Sequence, residues 1–151
     1  MKIGARMRRF IGESMVVRLA TVSDSGQPRI TPLWFIFERG RFYMNTREAS
    51  PAVRDILANP EVVLLLEREK GRRSKRVLRV RGQTKFHRRS ALNQRMYLRS
   101  LLKYHLSVGG LWNLLATVRS LPIRALYYRE RAGEAGTIEV IPESVEMVPK
   151  R

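Results

Sequence analysis

Thr46 and Ser50 stand four residues apart, with Arg47 between them and Arg54 just beyond. Ser50-Pro51 reads as a helix start, because serine caps well and proline is favoured at the first helical position. Two hydroxyls, two guanidinium groups and the N–H groups of a helix N-terminus would together hold an anion such as a phosphate. The same hydroxyls also serve as ordinary turn and cap residues, and Arg54 as a solvated helix residue, so the pattern by itself leaves both uses open. Other chemistry is scarce. There is no glycine-rich dinucleotide fingerprint, no phosphate-loop sequence and no Gly-x-Ser-x-Gly elbow. His87 and His105 have no acid or hydroxyl spaced for a triad, and each reads as a structural or surface histidine. The absence of cysteine excludes disulfides, zinc ribbons, iron–sulfur clusters and thiol nucleophiles, and no metal site is expected. The 13 acidic residues are scattered, so nothing favours a paired-carboxylate hydrolase.

The elements that must position these residues follow from periodicity. Met7, Phe10 and Ile11 predict a short helix over 4–14. Val16–Val22 is β-branched and precedes the turn sequence Asp24-Ser25-Gly26-Gln27-Pro28. Arg29–Phe37 predicts a second strand, with Pro32 marking an edge or bulge, and Arg41–Asn45 a third. A helix from Ser50 carries Val53, Ile56 and Leu57 on its apolar stripe and ends at Asn59-Pro60. Val62–Glu67 reads as a strand buried on both faces. Val77–Phe86 is a fifth strand, with Leu78 and Val80 on one face and Arg79 and Arg81 on the other. Residues 90–104 predict a helix burying Leu92, Met96, Leu98, Leu101 and Leu102. Leu111–Ser120 predicts another, with Trp112, Leu115 and Val118 on one stripe. Thr137–Ile141 and Val145–Val148 form the last strand or strand pair, interrupted by Pro142. Six or so strands with short turns predict a small antiparallel barrel, α+β and mainly β, as one domain over 1–151 with a helical insertion at 90–121.

Three segments in order carry a resemblance. They are Arg18-Leu19-Ala20-Thr21-Val22 with its turn; Thr31-Pro32-Leu33-Trp34-Phe35; and Tyr43-Met44-Asn45-Thr46 with Ser50 and Asn59-Pro60-Glu61-Val62. The series resembles the flavin-binding split β-barrel superfamily named for pyridoxamine 5'-phosphate oxidase, and the related deazaflavin-dependent reductases. It covers about residues 10 to 90. The resemblance implies a six-stranded split barrel that forms a homodimer, with FMN or coenzyme F420 in a groove between subunits. It implies an oxidoreductase that moves a hydride between that cofactor and a small organic substrate, the protein supplying shape, orientation and charge. It places Arg18, Leu19, Ala20, Asn45, Thr46, Arg47, Ser50 and Arg54 toward the cofactor, with Pro32, Leu33 and Trp34 as an apolar wall against its ring. Two positions depart from the family. Ala52 stands where a basic residue commonly holds the phosphate, and Val77 where an amide side chain often reaches the flavin. Arg47, Arg54 or Arg76 would have to substitute. The C-terminal Trp and Arg motif of true pyridoxamine phosphate oxidases is missing, since Trp112 has no such neighbours, so vitamin B6 oxidation is not expected.

The net charge is +17, from 30 Lys plus Arg against 13 Asp plus Glu. Between Arg68 and Lys103 lie 14 Lys or Arg and one acid, Glu69. This excess suits an anionic cofactor, F420 with its polyglutamate tail more than FMN. It also suits nucleic acid, an anionic membrane surface met through Leu111–Val118, or no partner at all, as a solvated face. Aromatics do not interleave with the basic residues, which disfavours nucleic acid. The alternatives to an oxidoreductase are a non-enzymatic basic barrel binding nucleic acid or another anion, and a family member without cofactor. No apolar run reaches the roughly 18–20 residues of a membrane span, and the basic N-terminus leads into no targeting pattern, so the expected location is the cytoplasm.

Overall fold

The structure, a computed structural model, describes residues 3–68, 75–88, 91–105 and 135–150. A short helix α1 (Ala5–Gly12) precedes strands β1 (Val16–Val22), β2 (Pro28–Trp34), β3 (Ile36–Glu38) and β4 (Arg41–Arg47). Helix α2 (Pro51–Ala58) leads to β5 (Glu61–Leu66) and β6 (Arg76–Arg88). Helix α3 (Ala91–His105) and strand β7 (Ala135–Pro149) complete the described elements. The strands form one antiparallel sheet in the order β2-β1-β5-β6-β7-β4-β3.

The sheet curls until β2 approaches β4, yet the two do not pair. β3 pairs only with Arg41–Tyr43, so beyond Tyr43 that edge of β4 has no described strand beside it. The outer edge of β2 likewise has no described strand beside it. A seam therefore runs between two strand edges, and this is the split of the barrel. Pro32, which has no N–H to give a ladder, lies on the β2 edge, as its chemistry requires. Seven strands stand where six were expected, because Phe35 interrupts the predicted Arg29–Phe37 strand and separates β2 from β3. Of the two readings left open at the C-terminal end, a strand or a strand pair, the structure has one strand, β7.

Alternation builds the core. Val17, Leu19, Leu64, Leu66, Leu78, Val80, Ile138 and Val140 point inward and are fully buried, together with Phe42 and Met44 of β4. Residues Val63 and Leu65, expected to be buried on the second face of β5, are only partly covered. Gly82 marks a register shift in the β6–β7 ladder, where Arg81 faces Ser144 but Gly82 faces Pro142. A Cβ at Gly82 would sit 2.3 Å from the carbonyl oxygen of Ile141, so this bulge admits only glycine.

The helices correct the expected stripes in two places. On α2 the buried set is Ala52, Val53, Asp55 and Ile56, while Leu57 faces outward. Asp55 can turn inward because Thr21 and Arg29 satisfy its carboxylate. On α3 the buried residues are Met96 and Tyr104, whereas Leu98 and Leu102 are exposed. Tyr104 sets this rotation. Its hydroxyl donates to the Met15 carbonyl at 2.6 Å and accepts the Phe35 N–H at 3.1 Å. The side chains of Leu101 and His105, and the expected helix over 111–120, lie outside the described residues.

Candidate functional site

The end of β4 and the start of α2 bring Thr46 and Ser50 together at one end of the seam, with Arg47 and Arg54 next to them in the chain and Asn45 on the other face of β4. Ser50 caps α2, its Oγ accepting the Val53 N–H at 3.3 Å. The Thr46 hydroxyl donates to the same Oγ at 3.3 Å. One lip of the seam thus carries two hydroxyls; in the first turn of α2, Pro51 has no N–H and Ser50 takes those of Val53 and Arg54, which leaves the Ala52 N–H beside them. Asn45 points to the other side of β4, where its Oδ1 accepts the Thr137 hydroxyl at 2.9 Å.

Charge pairing separates the arginines into two groups. Arg18 pairs with Glu67, Arg29 with Asp55, Arg88 with Glu48, and Arg95 and Arg99 with Glu38. No described carboxylate pairs with Arg47 or Arg54, and both side chains are exposed. The donor set at the seam is therefore cationic and hydroxylic, since Glu48 of the same connection is paired with Arg88, and its chemistry suits an anionic group. Ala52 is buried under the same helix turn and supplies no charge.

The other residues singled out from sequence divide by face. Leu19 is sealed in the core and Leu33 is packed partly against it, so neither offers more than an inner wall. Pro32 and Trp34 project from the outer face of β2 and are exposed. Trp34 stacks on Tyr104, with ring centroids 4.6 Å apart and planes 12° from parallel. Ala20 lies in register with Ile30 and Val63 on the outer sheet face. Arg18, on that same face, is committed to Glu67. Arg76 opens β6, whereas Thr46 is in register with Gly136 and so with Arg88 at the other end of that strand. Twelve residues of extended chain set Arg76 about 40 Å along the strand from the Thr46 end.

Two polar groupings were not anticipated. Asp55, almost fully buried, accepts the Thr21 hydroxyl at 2.8 Å and the Arg29 Nε–H at 2.9 Å, which ties α2 to β1 and β2 beneath the seam. A polar residue inside the Val53–Ile56 stripe was its only sequence signal. Glu139 is 4% exposed and receives Arg41, Tyr43 and His87, the His87 Nε2 standing 2.7 Å away. Burial pushes the Glu139 carboxyl up, but the hydrogen bonds and charges of Arg41 and His87 outweigh it and hold it below the usual carboxylate range. Burial and the Glu139 charge push the Tyr43 phenol up. Among the described residues no three His, Cys, Asp or Glu side chains cluster to hold a metal.

The sequence model of the family described as pyridoxamine 5'-phosphate oxidase matches residues 3–147. The chain belongs to that family. Similar folds occur in several solved structures. A conserved hypothetical protein, Rv2991 from Mycobacterium tuberculosis, is 18% identical with a TM-score of 0.73, covering 100% of this chain and 87% of its own. A structure named as an F420 reductase is 17% identical with a TM-score of 0.68, covering 97% and 98%. HutZ from Vibrio cholerae, named as a heme storage protein, is 15% identical with a TM-score of 0.67, covering 99% and 95%. A search of curated proteins finds no match. This oxidase-family fold is thus shared by proteins named for different ligands, and the site chemistry has to decide among them. No described helix is long and apolar enough to cross a membrane.

Proposed function

We propose that this chain is a flavin- or deazaflavin-dependent oxidoreductase acting as a homodimer on a small organic substrate. The reading rests on one observation, the cluster of Thr46, Arg47, Ser50 and Arg54, which has no carboxylate paired to it and lies at the open seam of a family barrel. Thr46, Ser50 and the N-terminus of α2 would hold the anionic tail, with Arg47 and Arg54 supplying charge in place of the position taken by Ala52. The unpaired edges of β2 and β4 offer backbone donors and acceptors to a planar ring that carries its own. The cofactor, when bound, supplies hydride chemistry; the chain binds it, orients it and limits its contact with water.

The outer sheet face supports the dimer. Ile30, Ala20 and Val63 form one register row, and Pro32 and Leu65 flank Arg18 in the next. Ile30 is 62% exposed, and this apolar strip, bordered by Arg81 opposite Val63 and Arg79 opposite Leu65, is the surface offered to the second subunit. Arg18, paired with Glu67, lies within the patch, and Arg79, paired with Glu146, borders it. The whole chain is read as one domain, with the region of α3 shaping the substrate side.

The test is direct. The purified protein is titrated separately with FMN and with F420, followed by fluorescence. Saturable binding of one of them supports the reading and names the cofactor; saturable binding of neither removes it. Affinity for random oligonucleotides that falls steeply with salt, without flavin binding, would assign the chain to anion binding alone.

A further inference from the structure

The two lips of the seam share no described ladder bond, yet at the Thr46 end a set of hydrogen bonds runs from one to the other through α2. On the β2 lip, the Arg29 Nε–H donates to Asp55 Oδ2 at 2.9 Å. Thr21, the ladder partner of Arg29, donates to the same oxygen at 2.8 Å, so both strands of the β1–β2 pair fix the carboxylate. On the β4 lip, the Ser50 N–H donates to the Arg47 carbonyl at 3.0 Å, and the Thr46 hydroxyl to Ser50 Oγ at 3.3 Å. Ser50 and Asp55 are five residues apart along α2, which makes the helix a stiff strut of about 7.5 Å between these two sets of bonds. Buried Ala52, Val53 and Ile56 seat the strut on the core.

Paired strands sit about 4.8 Å apart because ladder bonds hold them there. β2 and β4 have no such bonds, so their separation at this end follows from where α2 is anchored. Its anchor on β4 is the chain itself, since Ser50 stands three residues past Arg47. Its anchor on β2 is a side chain, Arg29. Loss of the Arg29–Asp55 bond leaves α2 tied to β1 through Thr21 and to β4 through the chain, while the β2 lip loses its tie across this end of the seam. A molecule that touches both lips binds more tightly when their gap is held in advance, because binding then bears no cost of ordering it. We propose that Arg29 and Asp55 are positioning residues of the seam: without touching the cofactor, they make α2 a latch between the lips and so set the affinity for a cofactor that contacts both. The proposal rests on the reading that the seam holds a flavin-type cofactor. The coupling is reciprocal, so a bound cofactor tightens the latch by the factor by which the latch tightens the cofactor.

The test combines cofactor titration with amide hydrogen exchange, both on the full chain. In fluorescence titrations Arg29→Ala and Asp55→Asn should each weaken binding of FMN or F420, whichever the wild type binds, by tenfold or more. The double variant should be no more than twofold weaker than the weaker single variant, because both changes open one latch. In Arg29→Ala without cofactor, the α2 amides should exchange at least tenfold faster, while those of the β5–β6 ladder stay unchanged. Saturating cofactor should slow α2 exchange in the wild type and slow it less in Arg29→Ala. The Arg29 side chain is 45% exposed, so Arg29→Ala retains the fold and carries the test alone if Asp55→Asn does not fold. Unchanged affinity in Arg29→Ala, additive losses in the double variant (which would put Arg29 on the cofactor itself), or unchanged α2 exchange would overturn the proposal. Wild-type protein that binds neither cofactor removes the reading of the seam, and the exchange comparison then decides whether α2 is the latch.

Discussion

Replacing Asp55 with alanine should loosen the attachment of α2 to the barrel. Asp55 accepts the Thr21 hydroxyl at 2.8 Å and the Arg29 Nε–H at 2.9 Å, and both Asp55 and Thr21 are buried. Without the carboxylate, the Thr21 hydroxyl is left unpaired inside the protein at a cost of about 1–3 kcal/mol. The Arg29 side chain is 45% exposed, so water takes over its guanidinium. A screened pair of that kind adds only about 0.2–1 kcal/mol. The sum, about 1.2–4 kcal/mol, is a large part of the roughly 5–15 kcal/mol that holds a domain folded. With a urea slope of about 2 kcal/mol/M, the midpoint should fall by about 0.6–2 M. The assay is urea unfolding followed by far-UV circular dichroism at one fixed protein concentration, because self-association contributes to apparent stability. Thr21→Val combined with Asp55→Ala should cost less than the sum of the two single changes, since no hydroxyl remains to be orphaned. A midpoint shift below about 0.3 M, or strict additivity in the double variant, would refute the clamp.

Four further outcomes are expected. Arg47→Ala and Arg54→Ala should each weaken binding of the flavin-type cofactor by about 1–3 kcal/mol in a fluorescence titration, if each makes a charge-assisted bond to its tail; unchanged affinity in both would place the tail elsewhere. Gly82→Ala should destabilise the fold by about 2 kcal/mol or more in the same urea assay, because the added Cβ meets the backbone of Ile141 and not a movable side chain. Glu139 titrates below its ordinary 4.5 when folded, so the stability it contributes is complete above that pH and is lost as pH falls through the folded value. Glu139→Gln should therefore flatten the acid side of the Tm-against-pH curve while lowering Tm at neutral pH. Ile30→Glu with Val63→Glu should convert a dimer to monomer in sedimentation velocity, and a dimer that survives the change would move the interface to another face.

What the sequence disclosed was local. Ser50-Pro51 announced the start of α2 because capping and proline geometry act within one turn. Pro32 announced an edge because a missing N–H matters only within its own strand. The inward role of Asp55 was hidden, since it depends on Thr21 and Arg29, 34 and 26 residues away. The rotation of α3 was misread for the same reason. Leu98 and Leu102 look like a core stripe, but Tyr104 is anchored to the backbone at Met15 and Phe35 and turns them outward. Of the residues that the family resemblance marked, those in the β4–α2 connection converge, because they are neighbours in the chain. Arg76 does not join them, because its place is set by the register of a long ladder.

The seam also has to be guarded. Bare strand margins attract foreign peptide, which can dock as an extra ribbon and seed clumping. Here Pro32 withholds a backbone hydrogen on one lip, while Arg47, which no described carboxylate pairs, posts positive charge on the other. A cationic ribbon meets repulsion and a gap in its bonding, and a neutral one meets the gap; a flat, negatively charged guest meets neither. The opening thus sorts visitors by charge before it sorts them by shape.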